Sequence, residues 1–200
     1  MIDAVRKLRD KTNAGIMDCK VALKESDGNI DKAIEILRKK GKATASKKAG
    51  RTAKQGVVQS YIHMGGKIGV LLELNCETDF VARNDDFSRL ARDLAMQVAA
   101  VKPSYVRVED VPEQVLAKER EIAREQIKSS EKDRDKPQQV IDKIVESKIG
   151  KFYEDACLLE QPFIKDSKTK VRDIVEQAIA TIGENIVVRR FTRYQLGEEF

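Results

Sequence analysis

Apolar positions recur at helical spacing in three short runs at the start of the chain, and each run predicts an amphipathic helix. Asp3 to Lys11 carries Val5 and Leu8, Ile16 to Lys24 carries Ile16, Cys19, Val21, Ala22 and Leu23, and Ile30 to Lys40 carries Ala33, Ile34, Ile36 and Leu37. Asn13-Ala14-Gly15 and Asp27-Gly28-Asn29 supply turn chemistry between the runs, and Gly41 reads as the stop of the third helix. Three helices this short enclose a small core with marginal stability of its own, which suits a docking module better than a catalytic one.

From residue 57 the period shortens to that of strands. Val57 to His63 and Lys67 to Asn75 flank Gly65-Gly66, a pair suited to a tight hairpin, and Asn185 to Tyr194 supplies a third strand rich in β-branched and aromatic residues. The strongest helix signal lies between them. Asn84 is placed to cap it, Asp85 and Asp86 favour its positive end, and Phe87, Leu90, Ala91, Leu94, Ala95 and Val98 form its apolar face.

Further helices are expected from Pro112 to Ile127, after the polar stretch Ser129 to Lys136, and from Val171 to Ile182 with Gly183 as its stop. Gly150 is expected to break or bend the second of these before Phe152 to Leu159. Strands and helices are segregated and no βαβ unit repeats, so the predicted class is α+β. It comprises an N-terminal three-helix module and a core in which a three-stranded antiparallel sheet packs with helices.

Charge sharpens the organisation. The 200 residues hold 38 basic and 33 acidic side chains for a net charge of +5. Eight of the basic ones (Arg38, Lys39, Lys40, Lys42, Lys47, Lys48, Arg51 and Lys54) fall in a single segment without one acid, and the other 30 are outnumbered by the acids elsewhere. The excess is therefore local and marks a solvated helix or a hinge. The expected division is a module over residues 1–41, a basic linker over 42–55 and an α+β core over 56–200.

Several chemistries find no support. Cys19, Cys76 and Cys157 form no C-x-x-C pair and read as free thiols of a reducing compartment, and the lone His63 has no companion at zinc-ligand spacing. No metal or cofactor is expected. No phosphate loop, nucleophile elbow or H-E-x-x-H motif occurs, and Asp85 with Asp86 is explained by helix-end electrostatics, so the reading is not an enzyme. No apolar run approaches the ~18 residues of a membrane span. Charges among the first seven residues also leave no signal-peptide core, so a cytoplasmic location is expected.

The unusual connection is Asn75-Cys76-Glu77-Thr78-Asp79-Phe80-Val81-Ala82-Arg83-Asn84, where Phe80 and Val81 stand where a short loop is ordinarily polar. Spacing alone favours Phe80 as a cover over the edge of the core. The other reading is an aromatic wedge beside an acid, able to enter an apolar crevice of a partner.

At these residues the sequence resembles the elongation factor Ts family, the guanine-nucleotide exchange factors of elongation factor Tu. Leu8-Arg9-Asp10-Lys11-Thr12-Asn13-Ala14-Gly15-Ile16-Met17-Asp18-Cys19-Lys20-Val21-Ala22-Leu23, Glu73 to Asn84, Leu159-Glu160-Gln161-Pro162-Phe163 and Ile182-Gly183-Glu184-Asn185-Ile186 carry the likeness across almost the whole chain, in the family's order. Asn13 stands where a glycine is usual, and asparagine also tolerates the left-handed region.

The resemblance implies an N-terminal module similar to ubiquitin-associated domains that docks on elongation factor Tu through Gly15, Ile16 and Met17. It implies that Asp79, Phe80, Val81 and Ala82 reach towards the partner's magnesium and phosphate site, with Phe80 as wedge, and promote GDP release. Both GDP-bound and nucleotide-free partner would be bound. The length is similar to that of single-core members, which implies a homodimer through the core sheet. The alternative, RNA or ribosome binding through Arg38 to Lys54, lacks interleaved aromatics and any RNA-recognition signature, so no direct nucleic-acid contact is expected.

Overall fold

A computed structural model describes residues 2–12, 14–130 and 136–199. The turn expected at Asn13 and the centre of the polar stretch, residues 131–135, lie outside them. The described residues form an α+β protein that divides into two compact units, Met1–Ala99 with Arg172–Phe200 and Ala100–Val171.

In the first unit, α1 (Ile2–Thr12), α2 (Ile16–Glu25) and α3 (Ile30–Lys48) enclose Val5, Leu8, Cys19, Ala22, Leu23 and Ala33. Asn29 caps α3 by accepting from the Lys32 amide at 3.0 Å. The expected stop at Gly41 is corrected, because α3 runs on to Lys48. Gly41 is instead a buried point of close approach, where a Cβ would lie 3.8 Å from that of Ala180 in α8 (Val171–Ile182). Beside it Lys42 pairs with Asp173 of α8 at 3.0 Å, Lys48 reaches the Gly183 carbonyl, and Gln177 of α8 donates to the Thr12 carbonyl. Of the two expected forms for the basic segment, helix holds through Lys48, and Ala45 within it is buried.

The sheet follows the expected strands. β1 (Gln55–Ile62), β2 (Ile68–Cys76) and β5 (Val187–Gln195) pair antiparallel in the order β1-β2-β5, with a register shift between Glu73 and Leu74. Strand alternation sends Val70, Leu72 and Leu74 of β2 into the interior. The opposite face carries cross-strand rows of Val58, Glu73 and Arg190, then Ser60, Leu71 and Thr192, then Ile62, Gly69 and Tyr194. The apolar interior is completed by α5 (Asp85–Val101), whose residues Phe87, Leu90, Ala91, Leu94, Ala95 and Val98 are buried as its period predicts. Asn84 caps α5, accepting from the Asp86 amide at 2.7 Å. Between β2 and α5 sits α4 (Asp79–Ala82), a single turn too short to leave a periodic signal.

In the second unit, α6 (Glu113–Ser129) and α7 (Gln138–Ala156) share a core of Ala123, Ile127, Val145 and Ile149. The break expected at Gly150 is absent: α7 passes through it, and beyond its own helix turn none of the described residues comes within 4 Å of where its Cβ would stand. Leu158–Glu160 form a short 3-10 turn, and β3 (Pro162–Phe163) pairs with β4 (Asp166–Lys170) in a hairpin the sequence reading did not anticipate. Gln161, fully buried, donates to the Asp155 carbonyl at 2.9 Å. Among the described residues no helix is long and apolar enough to cross a membrane.

Candidate functional site

Among the exposed apolar features of the first unit, two carry the site residues singled out in the sequence. The first is the turn at α4. Thr78 caps it, its Oγ1 accepting from the Val81 amide at 3.4 Å, while the Ala82 and Arg83 amides donate to the carbonyls of Thr78 and Phe80. Four residues cannot sustain a helix in isolation, so α4 takes its place from what flanks it. Val81 and Ala82 are half-buried against the fold, whereas Asp79 and Phe80 point outward. The Phe80 ring is 80% exposed, so it does not cover the core edge as spacing alone favoured. An aromatic left in water beside an acid is a surface with unspent apolar area.

The flanks of α4 are densely hydrogen-bonded. Glu184, in the turn between α8 and β5, accepts through Oε2 from the amides of Glu77 and Thr78 at 3.1 and 3.0 Å, and through Oε1 from the Thr78 hydroxyl at 2.7 Å. Glu77 Oε1 in turn accepts from the Asn185 amide at 2.6 Å and lies 3.6 Å from the Arg51 guanidinium. The buried Cys76 thiol donates to the Thr78 carbonyl at 3.1 Å. Burial pushes that thiol up to about 11, and the Glu184 carboxylate adds to the rise, so it remains a neutral donor. None of these partners beyond the turn itself was singled out in the sequence as a site residue. The sole signal was that Glu184 and Asn185 fell inside a motif carrying the family likeness.

The second feature is the exposed side of α2. Gly15 caps the helix through its carbonyl, which accepts from the Cys19 amide at 2.9 Å. Cys19, Ala22 and Leu23 turn inward, while Ile16, Met17 and Val21 remain exposed, Met17 at 68%. Periodicity had assigned Ile16 and Val21 to the module's core. The structure moves both to the surface, where Met17 and Val21 share one face at i and i+4. Val21 thus joins Gly15, Ile16 and Met17 as a candidate contact.

Among the described residues no group of three or more His, Cys, Asp or Glu is placed to hold a metal ion. The arrangement offers contact surfaces and an exposed carboxylate at Asp79.

The family model described as elongation factor TS matches residues 6–198. The chain is 61% identical over 198 residues to Elongation factor Ts of Thermotoga neapolitana, spanning 99% of this chain and 98% of the relative. It is 58% identical over 199 residues to Elongation factor Ts of Thermotoga maritima, spanning 100% and 97%. The counterpart from Thermodesulfovibrio yellowstonii is 57% identical over 194 residues, spanning 97% and 94%. With its matched length, its α+β fold and its motifs in order, the chain belongs to the elongation factor Ts family of translation elongation factors.

Proposed function

We propose that this protein is a guanine-nucleotide exchange factor for elongation factor Tu, without catalytic chemistry of its own, working in the cytoplasm. The observation that carries the reading is the outward Phe80, 80% exposed on a turn held from both sides, with the Asp79 carboxylate next to it. The ring inserts into an apolar crevice of the partner near its magnesium and phosphate site. Asp79 disturbs the contacts that hold the metal, and losing the metal removes charge neutralisation from the diphosphate. Val81 and Ala82 carry the turn into the fold. The module docks through Gly15, Ile16 and Met17, with Val21 beside them.

Exchange is linkage: the factor binds nucleotide-free partner more tightly than GDP-bound partner, and GDP weakens the factor's binding by the same ratio. A coupling of about 10⁴ needs about 5.5 kcal/mol of differential binding. Burying one Phe supplies about 1.5–3 kcal/mol, so the wedge needs the second docking surface.

The outer face of the sheet supports a homodimer. Val58, Ile62, Leu71 and Tyr194 are each more than half exposed there, and the Ile62 side chain lies over Gly69, where a Cβ would stand 3.1 Å from its Cδ1. The apolar surface comes mainly from β1 and β2, since β5 contributes Arg190 and Thr192 beside Tyr194. Sedimentation at micromolar concentration is expected to give a dimer that Leu71→Arg converts to monomer; a wild-type monomer would remove this part of the reading.

Nucleic-acid binding by the basic segment is disfavoured by its bonding. Lys40 pairs with Asp18, Lys42 with Asp173 and Arg51 with Glu77, and Lys48 donates to the Gly183 carbonyl. The deciding measurement is release of fluorescent GDP from purified elongation factor Tu. Acceleration by the wild-type chain and its loss in Phe80→Ala are expected, and no acceleration by the wild type refutes the proposal.

A further inference from the structure

The turn before α4 and the turn before β5 are more than 100 residues apart in sequence, yet each uses a glutamate to cap the backbone of the other. Glu184 takes two successive amides, of Glu77 and Thr78, on one carboxylate oxygen and the Thr78 hydroxyl on the other. Glu77 returns the bond by accepting from the amide of Asn185. Asn185 is itself buried and donates Nδ2 to the Arg51 carbonyl at 2.8 Å, tying the segment after α3 into the same knot.

These bonds have a direction that bears on Phe80. A threonine hydroxyl has a single proton. Because Thr78 gives it to Glu184, only lone pairs remain facing α4, and one of them accepts the Val81 amide as the helix cap. Glu184 therefore sets the rotor that caps α4, and it does so with charge-assisted bonds, stronger than neutral ones. A four-residue helix does not sustain itself, so beside the packing of the half-buried Val81 and Ala82 this bond helps to orient its first turn. Phe80, which is 80% exposed, lies in the first turn, whose cap that bond sets.

We propose that Glu184 is a positioning residue for exchange: it pre-sets the Asp79-Phe80 turn so that ordering is not left to the moment of insertion. The assignment rests on the wedge reading of Phe80. Preorganisation of this kind acts on the step that uses the group rather than on docking by a separate surface. Loss of the carboxylate should lower the rate of nucleotide release at saturating factor and leave the half-saturating concentration nearly unchanged.

The test uses the full-length chain and fluorescent GDP bound to elongation factor Tu, with factor titrated to saturation and thermal melts in parallel. Glu184→Ala is expected to cut the maximal rate about tenfold while half-saturation moves less than about twofold. Glu184→Gln, which keeps one carbonyl acceptor, should recover part of the loss. The triple variant Glu184→Ala/Asp79→Ala/Phe80→Ala should be no slower than Asp79→Ala/Phe80→Ala, because a residue acting through that turn is silent once both of its groups are gone.

A further multiplicative loss in the triple variant overturns the proposal, as does an undiminished maximal rate for Glu184→Ala when Phe80→Ala is slow; in both cases the wedge itself stands. A full rate for Phe80→Ala refutes the wedge and the positioning role together. If Glu184→Ala does not fold, Glu184→Gln and Thr78→Val decide in the same cycle, since Thr78→Val removes the hydroxyl link and keeps the side-chain shape.

Discussion

Arg83 donates its Nη2 to Oδ2 of Asp79 at 3.0 Å, so the carboxylate next to the exposed Phe80 is already paired within its own turn. The pair complements the helix dipole, with the acid in the first turn and the cation just past the end. Both side chains are well exposed, and exposed pairs of this kind are worth about 0.3–0.5 kcal/mol. Asp79 can therefore exchange Arg83 for another cation at little cost.

Stability should be nearly indifferent to both residues that face outward here. Arg83→Ala and Phe80→Ala are each expected to change the unfolding free energy by less than about 0.5 kcal/mol, which for a chain of this size moves Tm by about 2 °C or less. Thermal melts read this directly. A fall of more than about 4 °C for Phe80→Ala would mean the ring contributes to the core after all.

Two glycines should respond to alanine with opposite signs. At Gly41 a Cβ meets Ala180 at ordinary contact distance within a continuous helix, so Gly41→Ala is expected to stabilise by about 0.5–1 kcal/mol. At Gly56 φ is +148° and a Cβ would stand 2.1 Å from the Leu74 carbonyl oxygen, so Gly56→Ala should destabilise by more than about 2 kcal/mol. Urea denaturation of the two variants separates a helix that passes the first glycine from one that ends there.

The three cysteines should be chemically quiet in the native state. All are buried and free, burial raises each thiol, and Cys76 and Cys157 stand at about 11. A thiol three units above the solution pH is ionised about once in a thousand molecules. With an aromatic disulfide reagent at pH 8, labelling should follow unfolding rather than exposure time, and prompt reaction of any thiol in the native protein would contradict its placement.

One carboxylate should make stability fall as pH rises. Burial raises Glu176 above its usual value, outweighing Lys42, while Asp173 adds to the rise and Arg172 opposes it; Oε2 has no hydrogen-bond partner among the described residues. In the window between the ordinary and the raised value the folded chain keeps a proton that the unfolded chain has released. The contribution is therefore present below that window and lost as pH climbs through it. Glu73 works in the opposite sense, since its bond to Arg190 lowers it and its contribution is lost as pH falls. Glu176→Gln should raise stability at pH 7 and remove the decline just above pH 4.5, as read by urea melts across pH 4 to 8. An unchanged profile would show that Glu176 is solvated.

Much of the fold was legible because burial writes a period into the chain. The apolar face of α5, the strands on either side of Gly65-Gly66 and the end of α8 at Gly183 all follow from local spacing and turn chemistry. The same periodicity misplaced Ile16 and Val21, since an apolar residue at helical spacing reads alike whether it meets its own core or open solvent. Gly41 and Gly150 looked like breaks, yet one admits the close approach of Ala180 and the other sits in a helix that simply continues.

At the site the division is sharper. The sequence alone marked Asp79-Phe80-Val81-Ala82 as an unusual connection and left Phe80 between core cover and wedge. Only the tertiary structure turned the ring outward, because exposure depends on what the rest of the chain places around it. It alone also joined Glu184 to Thr78 across 106 residues. Local pattern records which residues prefer burial and where the chain turns. Which two turns share a carboxylate is decided when the sheet closes and brings the start of β5 beside the end of β2.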